Sequence, residues 1–378
     1  MHLQLARIWQ RSRRIEKSMA AQPAITVQLP QASELKLEPV ARFRNLCALY
    51  WEGDVLYASR GYDLLRARIG DNGVQWANVA HYNPAWWREL TSASRLASRL
   101  CRDGFHALAA LTSGHLVAAL PGVIATLAPG ESEFQVSHRV IRGTRPLHIA
   151  VTSQNHVLWG EYFDNPQREE VHIYASTDCG ATWNVAYTFP NGAIRHVHNI
   201  VYDRWGDCLW ILTGDEGPEC RILHASCDLK NIDVVLSGNQ QARAVALVPA
   251  PHAVYFSSDT PFETNHVYRL DRGGQLAQVA SLSSSSIYGC AVDNAVFFST
   301  MVEPSEINPD RSVGLFGSTD GSDWRRLSSW TKDFWPMGLF QYGNAFLPDG
   351  TNTTSFLAVS TVAVRGADRQ TSLWRVVA

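Results

Sequence analysis

Short apolar runs recur along the chain, each preceded by polar or turn-forming residues and followed closely by a second apolar run. The first members are NLCALYW from Asn45, HALAAL from His106, HIAVT from His148, HNIVY from His198, RAVALV from Arg243, YGCAV from Tyr288 and MGLFQY from Met337. The second members include VLYAS, LVAAL, VLWGEY, LWILTGD, VYFSSD and VFFST. Runs of this length bounded by turn residues predict strands, and steps of 42 to 61 residues match the size of a propeller blade. We therefore expect an all-β fold, a seven-bladed β-propeller, over residues 25–378, with residues 1–24 as a loose tail. The chain ends on TSLWRVVA, a strand with no successor, and ELKLEPVA at 34–41 supplies the missing outer strand of the last blade. Such a closure removes an exposed sheet edge. The longest step contains residues 81–103, where Leu90, Leu96 and Leu100 at helical spacing predict a short helix inserted before the second blade and placed to act as a lid.

The turns sharpen this picture. After the strand-like VHIYA comes Ser176-Thr177-Asp178-Cys179-Gly180-Ala181-Thr182-Trp183, with a shortened relative at Ser318-Thr319-Asp320-Gly321-Ser322-Asp323-Trp324 and a degenerate one beginning Ser226-Cys227-Asp228. In such a turn the Asp carboxylate accepts from backbone N–H groups, Gly permits the dihedrals and Trp packs beneath. The pattern resembles the Asp-box of sialidases and related propellers, the glycoside-hydrolase-like superfamily. That resemblance implies a propeller and, more loosely, a carbohydrate-active enzyme. Sialidases set three arginines on the substrate carboxylate, whereas the positions found below supply one.

Composition narrows the function classes. A net charge of −2 gives no general attraction for nucleic-acid backbones. The seven cysteines are odd in number and show no CxxC spacing, so neither a disulfide framework nor a zinc knuckle is indicated. No apolar run is long enough to span a bilayer, and the first twenty residues lack the continuous apolar core of a signal peptide, so the expected location is cytoplasmic.

In a propeller the innermost strands all start on one face, and the loops between second and third strands return to it. The first set brings together Asn45, His106, His148, His198, Arg243, Tyr288 and either Trp335 or Met337. The second contributes Arg60, Glu161, Tyr162, Asp215, Glu216, Asp259, Glu263 and Glu303. Histidine moves protons near neutral pH, Arg grips a carboxylate with a two-pronged fork, and Tyr donates or accepts a proton. His196 sits beside His198, and register alone favours His198 as the one facing the channel. The serine run 283–286 reads as a flexible connection.

Polysaccharide lyases built on propellers, such as those acting on ulvan, are similar in combining His, Tyr and Arg in a central pocket. That likeness implies elimination on an acidic glycan. The expected catalytic residues are accordingly His106, His148, His198, Tyr288, Glu161 and Asp215, with Arg243, Asn45, Arg60, Asp259 and Trp335 contacting substrate. Hydrolysis by Glu161, Asp215 or Asp259 stays open beside elimination. The alternatives are a non-catalytic propeller that binds a glycan or a protein, and a metal-dependent enzyme. No cofactor motif is present, although His106, His148 and His198 offer ligands for a divalent metal. The expected partner is an acidic oligo- or polysaccharide.

Overall fold

Seven antiparallel sheets, six of four strands and one that gains a fifth, parallel strand at its inner edge, follow one another along the chain in a computed structural model that describes residues 34–71 and 73–377. The tail expected over 1–24 lies outside the described residues, and Leu35–Ala378 form one compact unit. The sheets are the blades of a seven-bladed β-propeller. The inner strands of blades 1 to 6 are Cys47–Gly53, Ala107–Ala110, Ala150–Val151, Val197–Asp203, Ala244–Pro249 and Ser286–Val292. Second strands such as Leu116–Leu120, Cys208–Thr213 and Ala295–Thr300 are buried along their whole length. Covered on both faces by neighbouring blades, they read as continuous apolar runs without alternation. Outer strands such as Ile232–Ser237 are largely exposed to solvent.

The closing strand forms as expected. Lys36–Arg44 pairs antiparallel with Gln370–Val377, from Lys36 opposite Val377 to Arg44 opposite Gln370, and so completes blade 7. Blade 7 departs from the sequence reading at its inner edge. Met337–Phe340 is a short helix that starts after Pro336, and the inner strand is Asn344–Phe346. The chain then crosses to blade 1, where Asp349–Asn352 pairs in parallel with the inner strand Cys47–Gly53. Gly350 makes this crossing feasible, because its φ of +91° is unfavourable for other residues and an added Cβ would lie 2.2 Å from the Trp51 carbonyl oxygen.

The Ser-x-Asp turns close the third-to-fourth strand hairpins. Asp178 accepts from the Thr182 N–H at 2.9 Å and from its hydroxyl at 2.6 Å, Ser176 Oγ accepts from the Gly180 N–H at 2.8 Å, and Trp183 Nε1 donates to Ser137. Asp320 accepts from the N–H groups of Ser322 and Asp323 in the same manner. The serine run is no flexible connection, because Ser284, Ser285 and Ser286 are buried and Ser286 begins the inner strand of blade 6.

The insertion forms two short helices, α1 (Trp86–Ala93) and α2 (Arg95–Cys101). Its packed face is the reverse of the expected one. Leu90 and Leu100 are exposed, whereas Ser92 and Arg99 are buried. The reason is polar: Arg99, 1% exposed, ion-pairs with Asp333 at 2.6 Å and Asp368 at 3.2 Å, and its Nε donates to the Phe340 carbonyl. The helices are thereby fastened to blades 6 and 7 by a buried guanidinium.

Candidate functional site

The upper face, where inner strands begin, holds two distinct groups of side chains. One surrounds a cavity of about 150 Å3 roofed by the insertion, with Ser92, Ser98 and Arg99 on its roof and His106, Arg145, His148 and Tyr288 among its walls. Asn45 enters the lining through a turn with φ of +55°. His148 and Asp349 also line a wider channel of about 1070 Å3 opening on the opposite face, so they stand at the waist of the propeller. His148 Nδ1 lies 3.0 Å from the Asp349 carboxylate. The Tyr288 ring sits between His148 and Phe346, and burial raises its phenol well above the ordinary range.

Electrostatics set this cavity apart. Among the described residues no carboxylate lies within ion-pair distance of Arg145, whose one hydrogen bond is to the Arg102 carbonyl at 3.1 Å. Burial, reinforced by the charge of Arg102, lowers its guanidinium to about 10. Burial and the same Arg145 push His106 well below the usual imidazole range, so it is neutral at pH 7. Arg369 also lines the cavity. Its acids are already engaged, with Asp103 receiving Arg88, Tyr62 and Thr91 and Asp349 receiving His148. The cavity therefore presents uncompensated positive charge to whatever enters.

The second group belongs to blade 4 and its neighbours. His196 precedes the inner strand, His198 lies within it, and Asp215 follows the second strand. Their contacts are short: His196 Nε2 to His198 Nε2 is 3.0 Å, His198 Nε2 to Asp215 Oδ1 is 3.3 Å, and His196 Nε2 to Asp215 Oδ2 is 3.4 Å. Side chains two apart on extended chain share a face, so both imidazoles point the same way, against the expectation that only one would. A β-bulge between Val197 and Asn199 places His198 at the irregularity. Arg243 reaches Asp215 at 3.3 Å and Asp259 at 3.8 Å, and Arg195 reaches Asp215 at 3.6 Å. Tyr162 packs on His196 with ring centroids 4.4 Å apart, and burial followed by Asp215 raises its phenol to about 12.

The expected ring thus divides. Asn45, His106, His148 and Tyr288 face the cavity, while His198, Asp215, Arg243 and Asp259 join the cluster. His106, His148 and His198 do not form a common metal site, since the described histidines and acids that converge within 4.8 Å are His196, His198 and Asp215. Glu161 belongs to neither group. It is buried, ion-paired with Arg142 and bonded to the His172 N–H at 2.8 Å, which makes it a brace for the loop entering blade 3 and removes it from the catalytic set. Arg60 ends its strand exposed to solvent and does not itself line the cavity, although Ser59 and Gly61 on either side of it do. Trp335 packs at tilted ring angles against Phe334 and Phe340 beside the short helix of blade 7 and does not line the cavity.

Arg145 and Arg195 escaped the sequence reading, and His196 was set aside in favour of His198, for one reason. Fourth strands also run up to this face, so their connections to the next blade open there too. The segments RGTRPLH and AIRHVH are such connections, and their basic residues were the available signal.

No protein-family profile matches this sequence, and no curated protein sequence does. Solved structures match the whole propeller. A chain in the crystal structure of a mitotic checkpoint complex aligns with a TM-score of 0.53 at 12% identity, covering 95% of this chain and 100% of that one. The WD40 β-propeller domain of Doa1 aligns with a TM-score of 0.53 at 9% identity, covering 90% and 97% respectively. At such identity the likeness extends to the fold alone, which it places among seven-bladed propellers.

Proposed function

We propose that the protein is a non-catalytic binding propeller whose upper face receives a protein partner, with an acidic group of that partner entering the cavity at Arg145. The observation that carries this reading is the outer face of the insertion and the helix beside it. Trp86 is 76% exposed, Leu90 66% and Phe334 77%, and Leu100 and Leu339 are also exposed. Grouped exposed apolar side chains mark an interaction surface. Aromatic anchors around a site for a charged group are the usual composition of an interface centre. A likeness to a chain that works within a multiprotein assembly agrees with this use of the fold.

Cleavage of an acidic glycan is served less well by the same geometry. Glu161 is held by Arg142, Asp215 by Arg243 and the two histidines, and Asp259 by Arg243. Each of the three carboxylates that the sequence nominates for acid or base work is thus engaged by a cation or an imidazole.

The test is selection of a random peptide library on the purified chain. Enriched peptides should combine an acidic residue with apolar ones, and their affinity should fall by about tenfold or more in Arg145→Met and in Trp86→Ser/Leu90→Ser, the scale of losing an interface anchor. Peptides that bind both variants as they bind the wild type would overturn the assignment of the surface. Unsaturated or new reducing ends released from a panel of acidic polysaccharides would restore the enzymatic reading.

A further inference from the structure

We propose that His196, His198 and Asp215 bind a divalent transition-metal ion of the zinc class. The case starts from proton positions. His196 Nδ1 lies 3.0 Å from the Phe163 carbonyl oxygen, and His198 Nδ1 lies 2.9 Å from the Ala244 carbonyl oxygen. A carbonyl only accepts, so in both rings Nδ1 carries the proton and donates. With both rings neutral each Nε2 is then a lone pair, and the two face each other at 3.0 Å. The Asp215 carboxylate, another acceptor, completes the triangle at 3.3 and 3.4 Å. Three mutually facing bases call for a proton or a metal ion among them.

The spacing suits a metal. With metal–nitrogen bonds of about 2.0–2.1 Å, ligand atoms around a tetrahedral ion stand about 3.3 Å apart. The observed separations bracket that value. Two imidazoles and one carboxylate are a borderline nitrogen and oxygen set, suited to zinc or cobalt rather than to calcium or magnesium, which take oxygen ligands. The outer contacts fit as well. Metal-bound histidines regularly donate their other ring N–H to a carbonyl or carboxylate, as both do here. Gln240 Nε2 and an Arg243 N–H donate to the Asp215 backbone carbonyl and so fix the position of the third ligand.

Charge leaves room for a cation. Arg195 is committed to Asp164 at 2.5 Å, and Arg243 is shared between Asp215 and Asp259. Glu303 adds a further half-buried carboxyl, which burial first and then Asp259 push upward against the pull of Arg243.

The experiment is titration of the full chain, stripped with a chelator, with Zn2+ and Co2+ by calorimetry, with Mg2+ and Ca2+ alongside. We expect one equivalent of Zn2+ or Co2+ and no heat from Mg2+ or Ca2+. His196→Gln and Asp215→Asn should weaken Zn2+ binding by about 100-fold, the upper range for disturbing a metal's ligand environment. Should the variants fail to fold, Co2+-loaded wild-type protein decides: visible bands of a four- or five-coordinate nitrogen and oxygen site support the proposal. A thiolate charge-transfer band would place the ion on cysteine and overturn it. Failure of the folded wild-type chain to bind Zn2+ or Co2+, or unchanged binding in folded variants, would also overturn it and leave a shared proton between the imidazoles.

Discussion

His106 and His198 occupy comparable places, at the start of the inner strands of blades 2 and 4, yet they meet opposite surroundings. His106 faces a cavity whose nearest strong charge is Arg145, a cation without a carboxylate partner, and it is held neutral. His198 is buried among His196, Asp215 and a backbone carbonyl, with every polar atom of its ring in contact. Blade 2 pairs regularly where blade 4 carries a β-bulge at His198, and the connection that brings a basic residue beside each histidine differs as well. Before blade 3 that connection delivers Arg145 into open space. Before blade 4 it delivers Arg195 and His196 into contact with Asp215. In a repeat fold the register therefore chooses which positions converge, while the linkers decide whether the convergence is satisfied internally or left for a ligand.

The largest expected effect comes from breaking each half in the same way. Asp215→Ala removes the acceptor of Arg243 and the neighbour of two buried imidazoles, and should cost about 3–5 kcal/mol, as expected when one member of a buried charged network is lost. Arg145→Met removes a cation that has no carboxylate to leave behind, and should change stability by less than about 1 kcal/mol or raise it. Urea denaturation of both variants in metal-free buffer checks the contrast. Equal losses would show that Arg145 is paired in solution and that the two halves do not differ.

A smaller effect follows from pH. The folded state holds His106 below its unfolded value near 6.5, so it favours the neutral ring. Its contribution is fully present above that unfolded value and is lost as pH falls, because the unfolded chain then takes up a proton that the folded one refuses. The slope approaches about 1.4 kcal/mol per pH unit for one such site. The loss of wild-type stability between neutral pH and the acid side should be shallower by that amount in His106→Asn. An identical acid limb in the two proteins would mean that His106 titrates normally in the fold.

Much of the architecture was legible because it rests on burial. Second strands such as Leu116–Leu120 are covered on both faces and announce themselves as apolar runs, and the turn at Ser176–Trp183 is determined by its own side chains. The inner strand of blade 7 was not legible, since Asn344–Phe346 is too short to show a period and the more apolar Met337–Phe340 forms a helix. The packed face of the insertion was hidden for another reason. It is set by Arg99 meeting Asp333 and Asp368, partners 234 and 269 residues away, which no local apolar spacing reveals. The site was half legible: position in the register found His106, His148, His198, Asp215 and Arg243, but could not separate them into two groups. Glu161 had the right register, and the Arg142 that occupies it arrives from another connection.

The finest test of the comparison asks whether Arg145 acts on His106 through the open cavity. Burial is the first cause of the histidine's lowered titration and the Arg145 charge is the second. Replacing the guanidinium by the apolar side chain of Met keeps the space largely filled while removing the charge, so Arg145→Met should move the His106 titration upward without restoring it to the free value. The imidazole proton resonances of His106, followed by NMR across the acid range, report this directly. The His198 resonances serve as the internal control, because that ring contacts Asp215, His196 and the Ala244 carbonyl and not Arg145. An unchanged His106, or a shift shared equally by His198, would mean that the cavity is screened by water and counter-ions and that Arg145 exerts no special field within it.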